Sequence, residues 1–174
     1  MIALLCTADV LAQSKRSNLP NDLLREIAEL DEVSFCMEAD NLSIKQFAAK
    51  FFDVKAANLD GKGQPELIIV ANGPCYGASG TQVWIYRKVG TRWEQLFNSP
   101  AQQQMITVAK TSTNGLRDIF RDSGNIFVRY VRTYRFNSSK YIGKECFTKT
   151  YGYTDRSGVY RKYKTPKIAK GCGT

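Results

Sequence analysis

The 174-residue chain contains no histidine. Imidazole is the side chain best suited to move protons near neutral pH, so its absence excludes a Ser-His-Asp triad, a Cys-His dyad and any zinc site with imidazole ligands. Carboxylate, lysine or tyrosine chemistry stays open, so an enzyme is disfavoured and no residue is assigned catalysis. No CxxC spacing occurs among the five cysteines, which argues against a zinc ribbon or a thioredoxin-like redox site. No apolar run reaches the roughly 18 residues that a membrane-spanning helix needs. Acid is nearly missing from the last fifty residues: 125–174 hold 12 Lys/Arg and 2 Asp/Glu, whereas 1–124 hold 13 and 14. The formal charge of +9 therefore comes from one end of the sequence, and a one-sided field says more about partners than bulk charge does.

What is present supports one folded domain. The chain is 43% hydrophobic and 11% aromatic, enough for a real core. Residues 1–12 (MIALLCTADVLA) are mostly apolar and end in small residues, as a secretory signal cleaved before Gln13 would. A basic n-region is lacking and Asp9 interrupts the run; the bland alternative is an apolar terminus on a cytosolic protein. Cysteine arithmetic favours export. Losing Cys6 leaves Cys36, Cys75, Cys146 and Cys172, an even set that allows two disulfides in three connectivities. Cys36–Cys75 with Cys146–Cys172 is the favoured pairing, and the other two stay open.

After a polar leader (13–19), residues 20–30 (PNDLLREIAEL) predict a helix. Asn18 or Asn21 is placed to cap it, and Leu23, Leu24, Ile27 and Leu30 form one stripe. Residues 43–50 suggest a second short helix. From Phe51 the period becomes alternating: Phe52, Val54 and Ala56 share a strand face, and 66–71 (ELIIVA) read as a buried strand. Residues 81–89 and 93–98 flank Gly90-Thr91-Arg92 as a hairpin. Strands follow at 105–110, 115–120, 126–136 and 141–147, and a basic segment, 148–174, carries a hairpin around 155–158 before a basic tail. The expected fold is mainly β and antiparallel. A short N-terminal helical part (20–50) precedes two serial strand-rich, blade-like units, 51–99 and 105–147, arranged as a sandwich or partial propeller.

Residues 58–70 (NLDGKGQPELIIV) resemble the acidic loop and strand of FG-GAP and VCBS-type repeats. Trp84-Ile85-Tyr86-Arg87 with Gly90 and Trp93 is similar to the hairpin that follows that loop. Residues 113–119 (TNGLRDI), then Tyr134-Arg135-Phe136 and Tyr141, resemble the second unit of a group of bacterial periplasmic and secreted β proteins without an assigned activity. The resemblance covers residues 50–147 and implies architecture rather than function. In its usual form the acidic loop gathers alternate carboxylates on a calcium ion. Here Asn58, Asp60 and Lys62 stand at those positions, with Glu66 beyond. An ammonium repels a cation, so the loop reads as degenerate. It is expected to be a structural turn without metal, with Asn58 and Asp60 bonding backbone amides and Lys62 replacing the ion's charge.

The glycine-rich stretch 72–80 (NGPCYGASG) precedes a strand rather than a helix, which fits a surface loop stapled by Cys75 better than a phosphate cradle. Arg129, Arg132, Arg135, Arg161, Lys162, Lys164 and Lys167 alternate with aromatics and are the candidates for binding a polyanion. The alternative is a solvated face whose cations serve solubility. In a strand, Arg129 and Arg135 share a face with Val131 and Thr133. Tyr130, Arg132, Tyr134 and Phe136 take the other, with one face core and one solvated. Asp53, Glu66, Asp118 and Asp122 are the carboxylates available for acid–base work. Their spacing forms no pair, and Asp118 reads as a turn residue. The leading expectation is an exported, non-enzymatic envelope protein with no cofactor, meeting an acidic protein, lipopolysaccharide or a membrane surface. A nucleic-acid-binding module is the alternative. A carboxylate-dependent hydrolase ranks lower, as does an inhibitor of a lytic enzyme, whose basic surface would repel this one. Oligomeric state is left open.

Overall fold

The structure is a computed structural model that describes residues 19–76, 80–102 and 105–172. The proposed signal segment, most of the leader, Cys6, Asn18 and the centre of the glycine-rich loop lie outside the described residues.

Three α-helices come first among the described residues: α1 Asn21–Ala28, α2 Asp31–Asp40 and α3 Ile44–Phe51. Leu23, Leu24 and Ile27 bury the stripe of α1 as expected. No described side chain caps it; Pro20 stands at the N-cap, where its fixed φ suits the first turn. Ser43 and Gln46 form a capping box that starts α3. The sequence gives no clear sign of α2, because Val33 and Cys36 face inward while Phe35 sits 70% exposed on the opposite side.

Among the described residues, nine strands form two antiparallel sheets. The first comprises β1 Phe52–Ala57, β2 Glu66–Asn72, β3 Gly80–Val89 and β4 Arg92–Gln102. The second comprises β5 Met105–Thr113, β6 Leu116–Gly124, β7 Val128–Phe136, β8 Tyr141–Thr154 and β9 Tyr160–Lys170. Each strand pairs with the next in sequence, so both sheets are meanders without crossovers. Residues 148–170 form no separate tail; they extend β8 and add β9 as the outer strand of the second sheet.

Helices, first sheet and second sheet stack as three layers around two cores. Trp84 and Tyr86 of β3 turn toward the helices, among Leu23, Ile27 and Phe52. Val83 and Ile85, on the other face, meet Phe97, Ile119, Tyr134 and Tyr141 between the sheets. Strand β3 is thus apolar in both registers because both its faces are covered. Phe97 packs edge-on against Tyr134 at 4.9 Å, which locks the two sheets together.

Two expectations need correction. Asp118 is not a turn residue: it lies in β6, buried, and accepts hydrogen bonds from Thr111 and Thr113 at 2.8 Å each. Those bonds hold β5 where its pairing with β6 shifts register. Nor does β7 have one core face and one solvated face. Tyr134 and Phe136 are buried between the sheets, and Val131 and Thr133 are buried on the opposite side. Bulges in the pairing of β5 with β6 and of β7 with β8 bend the sheet, and that bend covers its second face.

Disulfides join Cys36 of α2 to Cys75 beyond β2, and Cys146 of β8 to Cys172 beyond β9, with Cα atoms 5.7 and 5.5 Å apart. No helix among the described residues is long and apolar enough to cross a membrane.

Candidate functional site

The seven candidate cations do not gather into one cluster. Alternation along β7 puts Arg129 and Arg135 on one face and Arg132 on the other. Three of the seven have acidic partners. Arg129 Nε donates to Asp122 at 2.8 Å, and that bond raises its pKa further. Arg135 meets Glu145 at 3.2 Å, and Arg161 meets Asp155 at 2.8 Å.

Asp155 anchors the β8–β9 turn. Bonds from the Ser157 hydroxyl, then Arg161, then the Val159 amide hold its carboxyl down to about 2. Lys162, Lys164 and Lys167 stand on the edge strand β9 without a carboxylate within salt-bridge distance among the described residues. Lys167 sits over the Tyr163 ring at 4.4 Å. Such a lysine-studded edge discourages strand-to-strand aggregation and presents charge outward.

Arg132 differs from its neighbours on β7. It is exposed and has no acidic partner among the described residues. Directly opposite it on β6 stands Arg121, which lies outside the candidate set. Arg121 escapes a count of charge that begins at residue 125, yet the β6–β7 hairpin fixes the pairing. A turn centred near Asn125–Phe127 aligns residue 121 with residue 132. Among the described residues, the two arginines, Ser123, Tyr130 and the Cys146–Cys172 bridge line a cavity of about 270 Å³, with no acidic residue among them.

The acidic loop is held by its own chain. Asp60 accepts from the Lys62 amide at 2.6 Å, and Gly61 and Gly63 supply the positive φ of the turn. Glu66 is fully buried and accepts from the Leu59 amide at 2.7 Å. Leu59, also fully buried, accepts the Arg117 amide at 2.7 Å, so the loop clasps the start of β6. Among the described residues no group of three or more His, Cys, Asp or Glu is arranged to hold a metal ion. Asn58 is exposed, and Lys62 lines an open cavity of about 370 Å³ with Asp60, Gln64, Arg87 and Lys88.

Glu66 and Asp118 both act on Tyr141. Burial pushes its phenol up, and the charges of Glu66 and Asp118 push further, against Arg87. The Tyr141 hydroxyl donates to the Arg117 carbonyl at 2.6 Å. Glu66 and Asp118 already hold backbone and threonine donors inside the core, and neither lines a described cavity. Asp53 accepts from Asn72 at 2.7 Å on the surface, and Asp122 is held by Arg129.

No family model, curated protein or solved structure matches the chain.

Proposed function

We propose that this is an exported, non-enzymatic binding protein of the bacterial envelope whose second sheet meets an anionic partner. One observation carries the reading. The acidic residues of β6–β9 that approach the cations are each matched one to one, and the surplus cations are left to solvent. Lys162, Lys164 and Lys167 on β9 and Arg132 on β7 belong to that surplus. A field so directed draws in polyanions and orients them on encounter. Two disulfides favour an oxidising compartment over the cytosol. Lipopolysaccharide, an anionic membrane surface and an acidic protein are the partners such a compartment offers.

Nucleic acid is the second reading, favoured by the rings among these cations. Those rings already serve one another, however. Tyr153 lies 5.4 Å from Tyr163, and Phe127 lies 4.7 Å from Tyr160. Their faces are in part taken, and base stacking needs them free.

The test is co-sedimentation with vesicles of neutral lipid, with and without anionic lipid or lipopolysaccharide, across a salt series. The reading expects capture by the anionic vesicles only, lost as salt rises. Equal capture by neutral vesicles, or capture that salt leaves untouched, contradicts it.

A further inference from the structure

We propose that Arg121 and Arg132 form a receptor for a single terminal oxyanion, a phosphate or sulfate group. The inference rests on the anionic-partner reading above and names where one such group is held. The two residues face each other in register on β6 and β7. Directly opposed side chains sit on the same face with Cβ atoms about 4.5–5.5 Å apart, where like charges destabilise the pairing. Every other arginine of β7 and β9 has a carboxylate to answer it, Arg129 with Asp122, Arg135 with Glu145 and Arg161 with Asp155. Arg121 and Arg132 have none among the described residues.

Arg121 is nevertheless held in place. Its Nη1 donates to the Ser99 hydroxyl at 2.7 Å and to the Tyr134 hydroxyl at 3.2 Å, and both partners are buried. These are neutral acceptors, so they fix the guanidinium without compensating its charge. A positioned, uncompensated guanidinium beside a second one is complementary to a tetrahedral oxyanion, which accepts forked N–H donors from both. The cavity of about 270 Å³ supplies the room, with the Ser123 and Tyr130 side chains on its wall as further polar groups. Its remaining wall is the Cys146–Cys172 bridge. The Gly171 amide bonds the Cys146 carbonyl at 2.7 Å, and the Thr148 hydroxyl bonds the Gly171 carbonyl at 2.7 Å, so the residue beside Cys172 is seated there. The receptor is therefore complete only in the oxidised protein.

Inorganic phosphate is titrated into the oxidised protein by calorimetry, and then into Arg132→Gln, Arg132→Lys and a Lys45→Gln/Lys55→Gln double variant. Arg132 is exposed, so its replacement leaves the cores intact, and circular dichroism verifies this. Loss of about tenfold or more in phosphate affinity is expected for Arg132→Gln, the scale of one charge-assisted hydrogen bond. A smaller loss is expected for Arg132→Lys, which keeps charge but not the fork, and none for Lys45→Gln/Lys55→Gln, whose exposed lysines lie on α3 and β1. Vesicles carrying a lipid with a terminal phosphate monoester are compared with vesicles of a phosphodiester lipid at equal charge. Preference for the monoester that is lost in Arg132→Gln places the group on a lipid. Phosphate binding without that preference places it on a free or otherwise carried oxyanion. No phosphate binding by the wild type, or equal binding by Arg132→Gln, overturns the receptor. If anionic vesicles are still captured in that case, the broader reading stands without it; if they are not, both fall.

Discussion

Leu59→Ala is the sharpest probe of the acidic loop. Leu59 is fully buried between the sheets, in one cluster with Leu116, Ile119, Phe136 and Tyr141. Its amide bonds Glu66 and its carbonyl accepts from Arg117, each at 2.7 Å. Truncation keeps both backbone bonds and removes three carbons from the core. At about 0.8 kcal/mol per buried methylene, transfer alone costs about 2.4 kcal/mol. The cavity left behind raises the loss to about 3–4 kcal/mol, within the usual range for leucine-to-alanine changes in a core. In a domain of this size that lowers the melting temperature by about 6–16 °C. Urea denaturation followed by circular dichroism measures the free energy directly. The same titration in millimolar calcium is the control, since a loop locked by Leu59, Glu66 and the Asp60 turn gains nothing from the ion. A loss below about 1 kcal/mol refutes the clasp. Calcium that stabilises the wild type refutes the reading of the loop as a structural turn.

Two further predictions concern titration. Burial raises the Tyr86 phenol to about 12, opposed by a hydrogen bond from Gln95, and burial moves Tyr76 and Tyr141 upward as well. Folding therefore favours the neutral rings. That contribution is whole below their ordinary value of 10, declines as pH rises beyond it, and for Tyr86 is gone above about 12. Phenolate absorbance should show some of the nine tyrosines ionising late, with unfolding in that window; a single transition near 10 speaks against it. At the other end, Asp155 is held down from 3.8 to about 2 by Ser157, Arg161 and Val159. Its contribution to the β8–β9 turn is present above about 3.8 and lost as pH falls through about 2. A carboxyl titration followed by nuclear magnetic resonance should show that low midpoint, moving up in Ser157→Ala. A midpoint near the ordinary value in the wild type contradicts the turn.

Much of the fold was legible because burial leaves a period. Alternation from Phe52 onward marks the strands, and Leu23, Leu24 and Ile27 mark α1. The two disulfides were legible as a count, and their pairing as one of three choices. Helix α2 was hidden because its inward residues are few and Phe35 points to solvent. The hairpin around 155–158 was legible, but the length of its second arm was hidden for a related reason. Only Gly152 is buried between residues 146 and 170, so the last residues of β9 read as a basic tail although they complete the sheet. The site was half legible. Charge counting found the cations of β7 and β9 but not which of them acids neutralise, since Asp122 and Glu145 meet their arginines only through strand register. Register also pairs Arg121 with Arg132, and a charge count along the chain does not carry it.

The claim at the centre of the account is that charge on the second sheet, rather than net charge, recruits the partner. Binding to anionic vesicles is measured against salt for two charge-matched variants. Lys162→Gln/Lys164→Gln/Lys167→Gln strips the edge of β9, while Lys45→Gln/Lys55→Gln/Lys62→Gln strips exposed lysines from α3, β1 and the loop between β1 and β2. The account predicts weaker binding and a shallower salt dependence for the first variant only, the second following the wild type. Equal losses in both would show that the protein responds to bulk charge and that its second sheet has no binding role of its own.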